Sequence, residues 1–304
     1  MNPLPILPLT PERAEQAASR FVESLGRSSS GARLLKFTNN AVVALPAAGL
    51  VLRIAGSQNA RSRIPVVLTV AELFVERGLA AVRLWEGCAQ PVELDGGELA
   101  TVWRMVPAGG DEPRPADLAE ILRAVHALED VDHLPAWMPM RGIRRRLREA
   151  DGVDVETLAQ LADIADELED DLRAMQVAPL IPAGLIHGDA HLGNLIGSPN
   201  GPVICDFDST SVGPREWDLV PAAVGAIRFD YRFPVHDEFA AAYGTDVTGW
   251  AGFPVFRRLR ELQLVTSVLP VLAGNPLLHR QWRHRVSTLS AAHEGDLWTP
   301  YAEL

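Results

Sequence analysis

Lysine and cysteine are scarce in this chain of 304 residues, and each scarcity narrows what the protein can be. Lysine occurs once, at Lys36, so arginine carries nearly all of the positive charge. The two cysteines, Cys88 and Cys205, have no metal-like spacing and do not indicate a disulfide framework. Cys205 lies in an apolar run, which is typical of a small core residue rather than a reactive thiol.

Long apolar runs are absent as well. No run reaches the roughly 18 uncharged residues that a membrane span needs. The first residues have neither a basic start nor a long apolar segment, so they do not predict a secretion signal. We therefore expect a cytoplasmic protein without a membrane partner.

The charge balance argues against binding to nucleic acid. The net charge is −11, with 22% charged and 47% hydrophobic residues. Such a composition is typical of an ordinary globular protein, and an acidic surface repels a phosphate backbone. It does not predict the oligomeric state.

The N-terminal third predicts an antiparallel sheet with one inserted helix. A first helix begins at Thr10 and Pro11, a capping hydroxyl followed by a proline. The inserted helix is predicted over Val66–Arg77. Pro107–Pro115, rich in glycine and proline, is the best linker. Strand-like runs cover Arg33–Phe37, Ala41–Leu45, Gly49–Ile54, Val82–Leu84, Val92–Leu94 and Leu99–Val106.

Beyond the linker the pattern becomes mostly helical. Asp117 and Glu120 have the spacing of a capping box at the start of a helix. We therefore predict an α+β protein with one domain over residues 1–106 and a second over residues 107–304. Further helices are predicted over Val155–Met175, Val235–Tyr243, Pro254–Leu272 and Leu277–Ala292.

The stretch Leu185–Asp208 holds an unusual concentration of polar residues between short apolar runs. A polar turn carries His187, Asp189, His191 and Asn194, and the strand-like Val203–Cys205 ends in Asp206-Phe207-Asp208. A carboxylate beside a buried strand is costly unless a cation, a metal or a substrate hydroxyl meets it. The stretch therefore predicts a functional site.

The order and spacing of these side chains fit phosphoryl transfer. In that reaction the protein mainly positions the reactants and neutralises charge. An Asp on the turn can accept a hydroxyl proton, and an Asn five residues later can offer an oxygen to Mg²⁺. The twelve residues from Asn194 to Asp206 allow a tight hairpin whose ends return together.

These residues carry a resemblance to a known family. The segments HGDAHLGNLI, VICDFD and GPREWDL resemble those of the aminoglycoside phosphotransferase and choline-kinase-like family, which is related to the protein kinases. The resemblance implies a two-lobed protein-kinase-like fold, with an N-terminal antiparallel sheet and helix and a mostly helical C-terminal lobe. It also implies ATP or GTP and Mg²⁺ as cofactors, and a small-molecule hydroxyl as acceptor.

The resemblance assigns roles within the central stretch. Asp189 corresponds to the catalytic base, and Asn194 and Asp206 correspond to the metal ligands. His187 is expected to hold the backbone of the catalytic loop, while Asp208 supports the site.

Two neighbours of the stretch are given supporting or packing roles. Asp218, in GPREWDL, resembles the acid that braces the catalytic loop or caps the next helix. Trp217 beside it is expected to pack, and His191 receives no catalytic role.

In the N-terminal lobe, Arg53 occupies the place where related kinases carry a phosphate-binding lysine. An arginine offers a planar fork where a lysine offers a point charge. The glutamate that usually pairs with that lysine has no clear counterpart, and Glu72 is the nearest candidate. The loop Phe37–Asn40 is expected to cover the phosphates, with Lys36 contributing there.

The resemblance also locates the base of the nucleotide. The strand Thr101–Val106 is expected to hold adenine through backbone groups near Trp103 and Met105. Whether the nucleotide is ATP or GTP stays open.

Two other functions remain open from the residues. Gly188, Asp189 and His191 imitate the G-D-x-H of a metallophosphoesterase, but further metal-ligand spacing is missing. A non-catalytic nucleotide-binding relative is the other alternative. The remaining histidines considered as ligands are scattered: His236, His279, His284 and His293.

The acceptor is the least defined part of the prediction. Acidic residues after Asp218 are candidates to meet the ammonium groups of an amino-sugar, and an exposed helix face is an equal interpretation. Aminoglycosides, other antibiotics, amino-alcohols and sugars all stay open, and with them a role in antibiotic resistance. The acidic candidates are Asp230, Asp237, Glu238 and Glu261.

Overall fold

The computed structural model describes residues 9–38, 40–129, 131, 133–230, 234–289 and 296–301. The chain divides into two compact units. The first comprises Met1–Pro113 and Gly193–Thr210, and the second comprises Arg114–Leu192 and Ser211–Leu304. A lobe boundary between residues 106 and 107 stays a prediction. His293, considered above as a ligand, lies outside the described residues.

Strands and helices are numbered here in chain order. The strands are β1 (Arg33–Phe37), β2 (Asn40–Leu45), β3 (Leu50–Ala55), β4 (Val92–Glu93), β5 (Leu99–Arg104), β6 (Gly184–Ile186), β7 (Leu195–Ile196), β8 (Val203–Ile204) and β9 (Ser211–Gly213). The α-helices of the described residues are α1 (Pro11–Ser24), α2 (Gln58–Glu76), α3 (Pro115–His126), α4 (Pro139–Glu149), α5 (Val155–Ala174), α6 (Val220–Arg228), α7 (Val235–Tyr243), α8 (Phe253–Thr266) and α9 (Pro276–Ser287).

The first unit is built on an antiparallel sheet in the order β1-β2-β3-β5-β4. Alternate residues of β3 are buried, as expected for a strand with one face on a core. That alternation leaves Arg53 half-buried on the other face, opposite Val42 and Thr101 on the neighbouring strands. The sheet therefore holds a cation in place between one apolar and one polar neighbour.

Helix α1 begins where the sequence predicted, and it packs against this sheet. Its cap, Thr10, accepts a hydrogen bond from the amide of Arg13 at 3.3 Å. Ala14, Ala18 and Val22 are fully buried in one core with sheet residues. The helical spacing of these apolar residues is the physical reason why this prediction is confirmed.

Helix α2 begins eight residues earlier than the sequence predicted. Ser57 caps it by accepting a hydrogen bond from the amide of Ala60 at 3.1 Å. Pro65 lies inside the helix, although proline usually marks a boundary. A start at Val66 was therefore wrong, because Ser57 caps the helix upstream and the buried Ala60 and Ile64 pack its first turns before the proline.

The predicted strand over Val82–Leu84 is also wrong. In this segment Leu84 forms an isolated bridge to Trp103, and Ala81, just before the segment, forms another to Ile204. The other predicted strands of the sheet are present, with ends that differ by one or two residues. Of the turn predicted after β1, Asn39 lies outside the described residues.

The second unit is mostly helical, with α8 packed against α4, α5 and α6. The sequence predicted α5 and α7 to within one residue. It missed α4, whose five arginines obscure the apolar spacing, and the short helix α6. The capping prediction for α3 was wrong, because the helix begins at Pro115 and Asp117 lies in its first turn.

Two further helices of the second unit end earlier than predicted. Helix α8 stops at Thr266, and a 3-10 segment covers Leu269–Gly274 in place of its predicted last turn. Helix α9 ends at Ser287, and residues 290–292 of its predicted range lie outside the described residues. No helix in the described part of the chain is long and apolar enough to cross a membrane.

Candidate active site

The hairpin of β7 and β8 places Asn194 and Asp206 at the same end. Leu195 pairs with Ile204, and the amide of Cys205 donates to the carbonyl of Asn194 at 2.9 Å. This confirms the predicted hairpin. Because residues just outside paired strands lie at the same end of a hairpin, the backbones that carry this amide and this carboxylate are held close together.

Asp206 has an unusual backbone conformation. Its φ of 69° and ψ of 68° lie in the left-handed region, and it is the one non-glycine residue with positive φ in the described ranges. Residues with a Cβ adopt this region at an energetic cost, and such strain concentrates at functional sites. The fold therefore holds this carboxylate in a costly position.

Two cations of the sheet reach this end of the hairpin. Arg53 forms an ion pair with Asp208, and its Nη2 lies 3.6 Å from Oδ1 of Asp206. Lys36 Nζ lies 3.7 Å from Oδ2 of Asp206. Burial lowers the pKa of Arg53, and the negative charge of Asp206 opposes that shift. The structure thus brings together the two cations and two of the acids that the sequence singled out.

The ion pairs of Arg53 do not involve the helix α2. Glu72, the candidate partner, is exposed on that helix. Asp208 takes the role instead, although it lies 155 residues away in the chain. Sequence reasoning missed this pair, because a long-range partner leaves no periodic signal.

The strand predicted to hold the nucleotide base is β5 with the residues after it. Trp103 is buried, and its Nε1 donates to Thr101 Oγ1 at 2.8 Å. The amide of Met105 donates to the carbonyl of Gly49 at 2.9 Å, and its side chain is half-buried. The amide of Arg104 is bonded to the carbonyl of Arg83. Two of the backbone donors in this segment therefore already have partners within the protein.

A magnesium site would draw its oxygens from the hairpin. Asn194 offers an amide oxygen and Asp206 a carboxylate, which suit Mg²⁺, an ion that keeps few protein ligands and binds nucleotide phosphates. Within the described ranges, no group of three or more His, Cys, Asp and Glu side chains forms a metal cluster. The donor set thus fits a metal shared with phosphates rather than a cage of protein ligands.

In the second unit, Asp218 holds the backbone of the predicted catalytic loop. The amides of His187 and Gly188 donate to its two carboxylate oxygens at 2.6 and 2.7 Å. Gly188 has a φ of 84°, which suits glycine and lets the chain turn there. Trp217 Nε1 donates to the carbonyl of Gly188 at 2.9 Å. The loop is therefore held at Gly188 through both its amide and its carbonyl.

His126 was not predicted to take part, yet it completes this bracing network. Its Nε2 lies 3.0 Å from Oδ2 of Asp218, and its Nδ1 lies 2.7 Å from the hydroxyl of Tyr243. Burial raises the pKa of Tyr243 to about 12, so the hydroxyl keeps its proton. A histidine inside an apolar helix pattern, in LRAVHAL, was the one signal for it in the sequence.

Asp189, the predicted base, contacts a cation that the sequence did not single out. Arg260 Nη1 donates to Asp189 Oδ1 at 2.6 Å, and His191 Nε2 lies 3.8 Å from Oδ2. Burial pushes the pKa of Asp189 upward, but Arg260 and His191 outweigh it and hold that pKa well below its ordinary value. Asp189 is therefore a carboxylate at neutral pH.

Two of the acids expected to meet an acceptor already have partners. Glu261 is 2% exposed and lies 2.7 Å from Arg228 Nε and 3.0 Å from Arg257 Nε. Glu238 accepts two hydrogen bonds from Arg114 at 3.0 Å. Asp230 and Asp237 are both exposed, and Asp237 lies on the solvated face of α7. Glu261 is thus a buried ion-pair residue of the second unit.

Residues 36–262 match the model of the phosphotransferase enzyme family. A choline/ethanolamine kinase family protein from Mesorhizobium loti has a TM-score of 0.63 and 17% identity, covering 93% of this chain and 97% of that chain. Choline kinase LicA from Streptococcus pneumoniae has a TM-score of 0.63 and 16% identity, covering 91% and 98%.

A third similar structure carries ligands. The amicoumacin kinase hAmiN, in complex with AMP-PNP, Ca²⁺ and Ami, has a TM-score of 0.62 and 13% identity, covering 95% of this chain and 98% of that chain. Identities this low show the fold alone. That fold is kinase-like, which confirms the fold class predicted from the sequence. No curated protein matches the chain.

Proposed function

Because the chain belongs to the phosphotransferase enzyme family and is a small-molecule kinase, we propose that it transfers the terminal phosphoryl group of ATP or GTP to a hydroxyl of a small molecule. The family match spans most of the chain and agrees with the resemblance of the central motifs. The observation that carries the proposal is the convergence of Lys36, Arg53 and Asp206 at the end of the hairpin that also holds Asn194.

Asp189 is proposed as the base. Its carboxylate is deprotonated at neutral pH, so it can accept the proton of an acceptor hydroxyl. Phosphoryl transfer passes through a loose transition state, so the hydroxyl needs orientation more than a strong base. A weakly basic carboxylate in a braced loop suits that task.

The phosphates are assigned to the first unit. Asn194 and Asp206 would hold Mg²⁺, which when bound neutralises charge on the transferred phosphoryl group. Arg53 and Lys36 would bind phosphate oxygens, and Asp208 would orient the guanidinium of Arg53. This arrangement supplies positive charge from two side chains besides the metal.

Support for a nucleotide also comes from the ligands of similar structures. The amicoumacin kinase was solved with AMP-PNP and Ca²⁺, and another similar structure holds GDP and kanamycin. Both kinds of purine nucleotide thus occur among proteins of this fold. We propose β5 and the residues after it, near Trp103 and Met105, as the place of the base, with the nucleotide either ATP or GTP.

The acceptor belongs to the same proposal. The ligand of one similar structure is an aminoglycoside, kanamycin, which keeps an amino-sugar acceptor and a role in antibiotic resistance among the hypotheses to test. Amino-alcohols are a second class, because two similar structures are described as choline or choline/ethanolamine kinases.

The test measures release of ADP or GDP with and without Mg²⁺. We expect slow, Mg²⁺-dependent turnover, lowered about a hundredfold or more in Asp189→Asn because the proton acceptor is lost. Asp237→Asn makes the same chemical change at an exposed position and is expected to keep wild-type turnover.

Three results would contradict the proposal. Turnover that survives in Asp189→Asn would exclude Asp189 as the base. Metal-dependent phosphatase activity without nucleotide would favour the metallophosphoesterase alternative. Nucleotide binding without any turnover would favour a non-catalytic relative.

A further inference from the structure

The surroundings of Asp189 in the second unit are rich in arginine. Helix α4 packs against α8, where Arg146 of α4 contacts Thr266 of α8, and α8 itself supplies Arg260. Arg260 is 7% exposed and donates from Nη1 both to Asp189 and to Gln263 Oε1, at 2.6 and 2.8 Å. One guanidinium therefore pairs with the carboxylate of Asp189, and that carboxylate also acts electrostatically on Arg146.

Of these two arginines, Arg146 has the buried hydrogen-bond donor that lacks an acceptor. Its Nη2 donates to Thr266 Oγ1 at 3.2 Å, while its Nε is buried without a hydrogen-bond partner within the described ranges. Burial, and repulsion from Arg145 and Arg260, lower its pKa to about 10, and Asp189 opposes the shift. A buried donor without an acceptor is costly, and it is often satisfied by a ligand.

The balance of charge here favours an anion. Arg260, His191 and His187 are among the groups that act electrostatically on Asp189, and all three lower its pKa. Within the described part of the chain, Asp189 is the carboxylate that acts on Arg146. Glu261, the acid of α8 expected to hold an ammonium group, is already bound by Arg228 and Arg257. A polycationic acceptor would meet like charge beside the base.

We propose that the acceptor carries a carboxylate or phosphate near its reactive hydroxyl, and that Arg146 and Arg260 bind this anionic group. The inference rests on the proposed function and names the class of its acceptor. Guanidinium groups bind both anions through paired, charge-assisted hydrogen bonds. The anion would satisfy Arg146 Nε and would share Arg260 with Asp189.

Binding of the acceptor anion to Arg260 would raise the pKa of Asp189. As the acceptor anion draws part of the guanidinium's hydrogen bonding, Asp189 loses part of the interaction that lowers its pKa. The carboxylate then becomes a better proton acceptor when the correct acceptor is bound. Recognition and activation of the base would thus use the same arginine.

The test compares probes that differ in the anionic group. Glycerate is paired with glycerol, serine with ethanolamine, and glycerol 3-phosphate separates phosphate from carboxylate recognition. Binding to the protein loaded with Mg²⁺ and AMP-PNP is measured by titration calorimetry, with kanamycin as the polycationic probe. We expect the anionic member of each pair to bind about tenfold more tightly, since a charged hydrogen bond is gained.

Variants of α4 identify the side chain responsible. Arg146→Gln is expected to remove the preference for the anion, and Arg146→Lys to retain part of it. Arg148→Gln removes an exposed arginine of the same helix and is expected to keep the full preference. Thermal unfolding of each variant verifies that it is folded.

The inference fails if glycerol, ethanolamine or kanamycin binds as tightly as the anionic probes, or if no probe shows a preference. It also fails if the preference survives in Arg146→Gln. The proposed function is judged separately, by Mg²⁺-dependent nucleotide turnover and its loss in Asp189→Asn. Turnover with acceptors that carry no anion would therefore keep the kinase and exclude this acceptor class.

Discussion

Arg53 on β3 pairs with Asp208, which lies just beyond the hairpin of β7 and β8, and the side chain of Arg53 is only 14% exposed. Its Nη2 also lies 3.6 Å from Asp206. A planar guanidinium can contact two carboxylates at once, which a lysine ammonium does less well. Arg53 and Asp208 therefore form one ion pair beside Asp206, the proposed metal ligand.

This pair predicts different roles for two acids. Asp208→Asn removes the charge that orients Arg53, and we expect nucleotide turnover to fall about tenfold to a hundredfold, as for other supporting residues of metal sites. Glu72→Gln removes an exposed charge and is expected to change turnover less than about twofold. Steady-state kinetics with varied nucleotide measure both.

The opposite ranking of these variants would contradict the assignment. If Glu72→Gln were the more damaging change, Arg53 would pair with α2 in the working enzyme. A higher Mg²⁺ requirement of turnover in Asp208→Asn, with nucleotide affinity unchanged at saturating Mg²⁺, would instead place Asp208 at the metal rather than at Arg53.

Features close together in the chain could be predicted from the sequence, whereas this pair could not. The hairpin from Asn194 to Asp206 follows from two short apolar runs and a Gly/Pro turn. The partners of Arg53 and Asp189 lie 155 and 71 residues away, respectively, and depend on how whole elements pack. No local pattern encodes such distances.

The brace of the catalytic loop gives a second prediction. Asp218 is buried and accepts hydrogen bonds from the amides of His187 and Gly188. In Asp218→Asn one of these donors faces an NH₂ group, so we expect the free energy of unfolding to fall by about 2 kcal/mol. Urea unfolding measures the loss.

The same variant is expected to lower kcat about tenfold while nucleotide affinity stays near that of the wild type, because the loop that carries Asp189 is held less firmly. Asp237→Asn, at an exposed site, is the control for both measurements. A stable Asp218→Asn enzyme with full kcat would show that the brace is dispensable.

Local sequence signals also failed to predict where α2 begins and that α4 exists. Pro65 indicates a boundary, yet α2 runs through it from a cap at Ser57. Helix α4 was missed because arginines dominate its sequence, although Met140 and Ile143 are buried. In both helices, packing of a few apolar side chains outweighs the local signal.

The pH dependence of Asp189 gives a third prediction. Arg260 and His191 hold the pKa of Asp189 below the ordinary value of about 3.9. A lowered folded-state pKa means that the stabilising charge is present above about pH 4 and is lost as the pH falls toward the folded value. In wild type, nucleotide hydrolysis in the absence of acceptor should therefore show no acid limb from this group near neutral pH.

Arg260→Gln removes the main stabilising charge, so the pKa of Asp189 rises and the acid limb moves to higher pH. The pH profile of kcat/KM for nucleotide hydrolysis shows the shift. Arg258→Gln, on the same helix and paired with Glu167 and Asp171, is the control. An unchanged acid limb in Arg260→Gln would mean that Arg260 does not set the proton affinity of the base.

The left-handed backbone of Asp206 separates stability from activity. Both Asp206→Ala and Asp206→Gly remove the carboxylate and its ion pairs with Lys36 and Arg53, so both should lose Mg²⁺-dependent turnover. They differ in the Cβ, which is costly at a φ of 69°. We expect the glycine variant to be about 1 kcal/mol more stable than the alanine variant in urea unfolding.

Gly244→Ala calibrates this cost, because Gly244 has a φ of 89° and open space around its Cβ position. Equal stability of the two Asp206 variants, with a normal cost at Gly244, would mean that the backbone at Asp206 relaxes once the carboxylate is removed. The strain would then be imposed by the ion pairs, whereas a glycine advantage would show that the hairpin and its surroundings impose it.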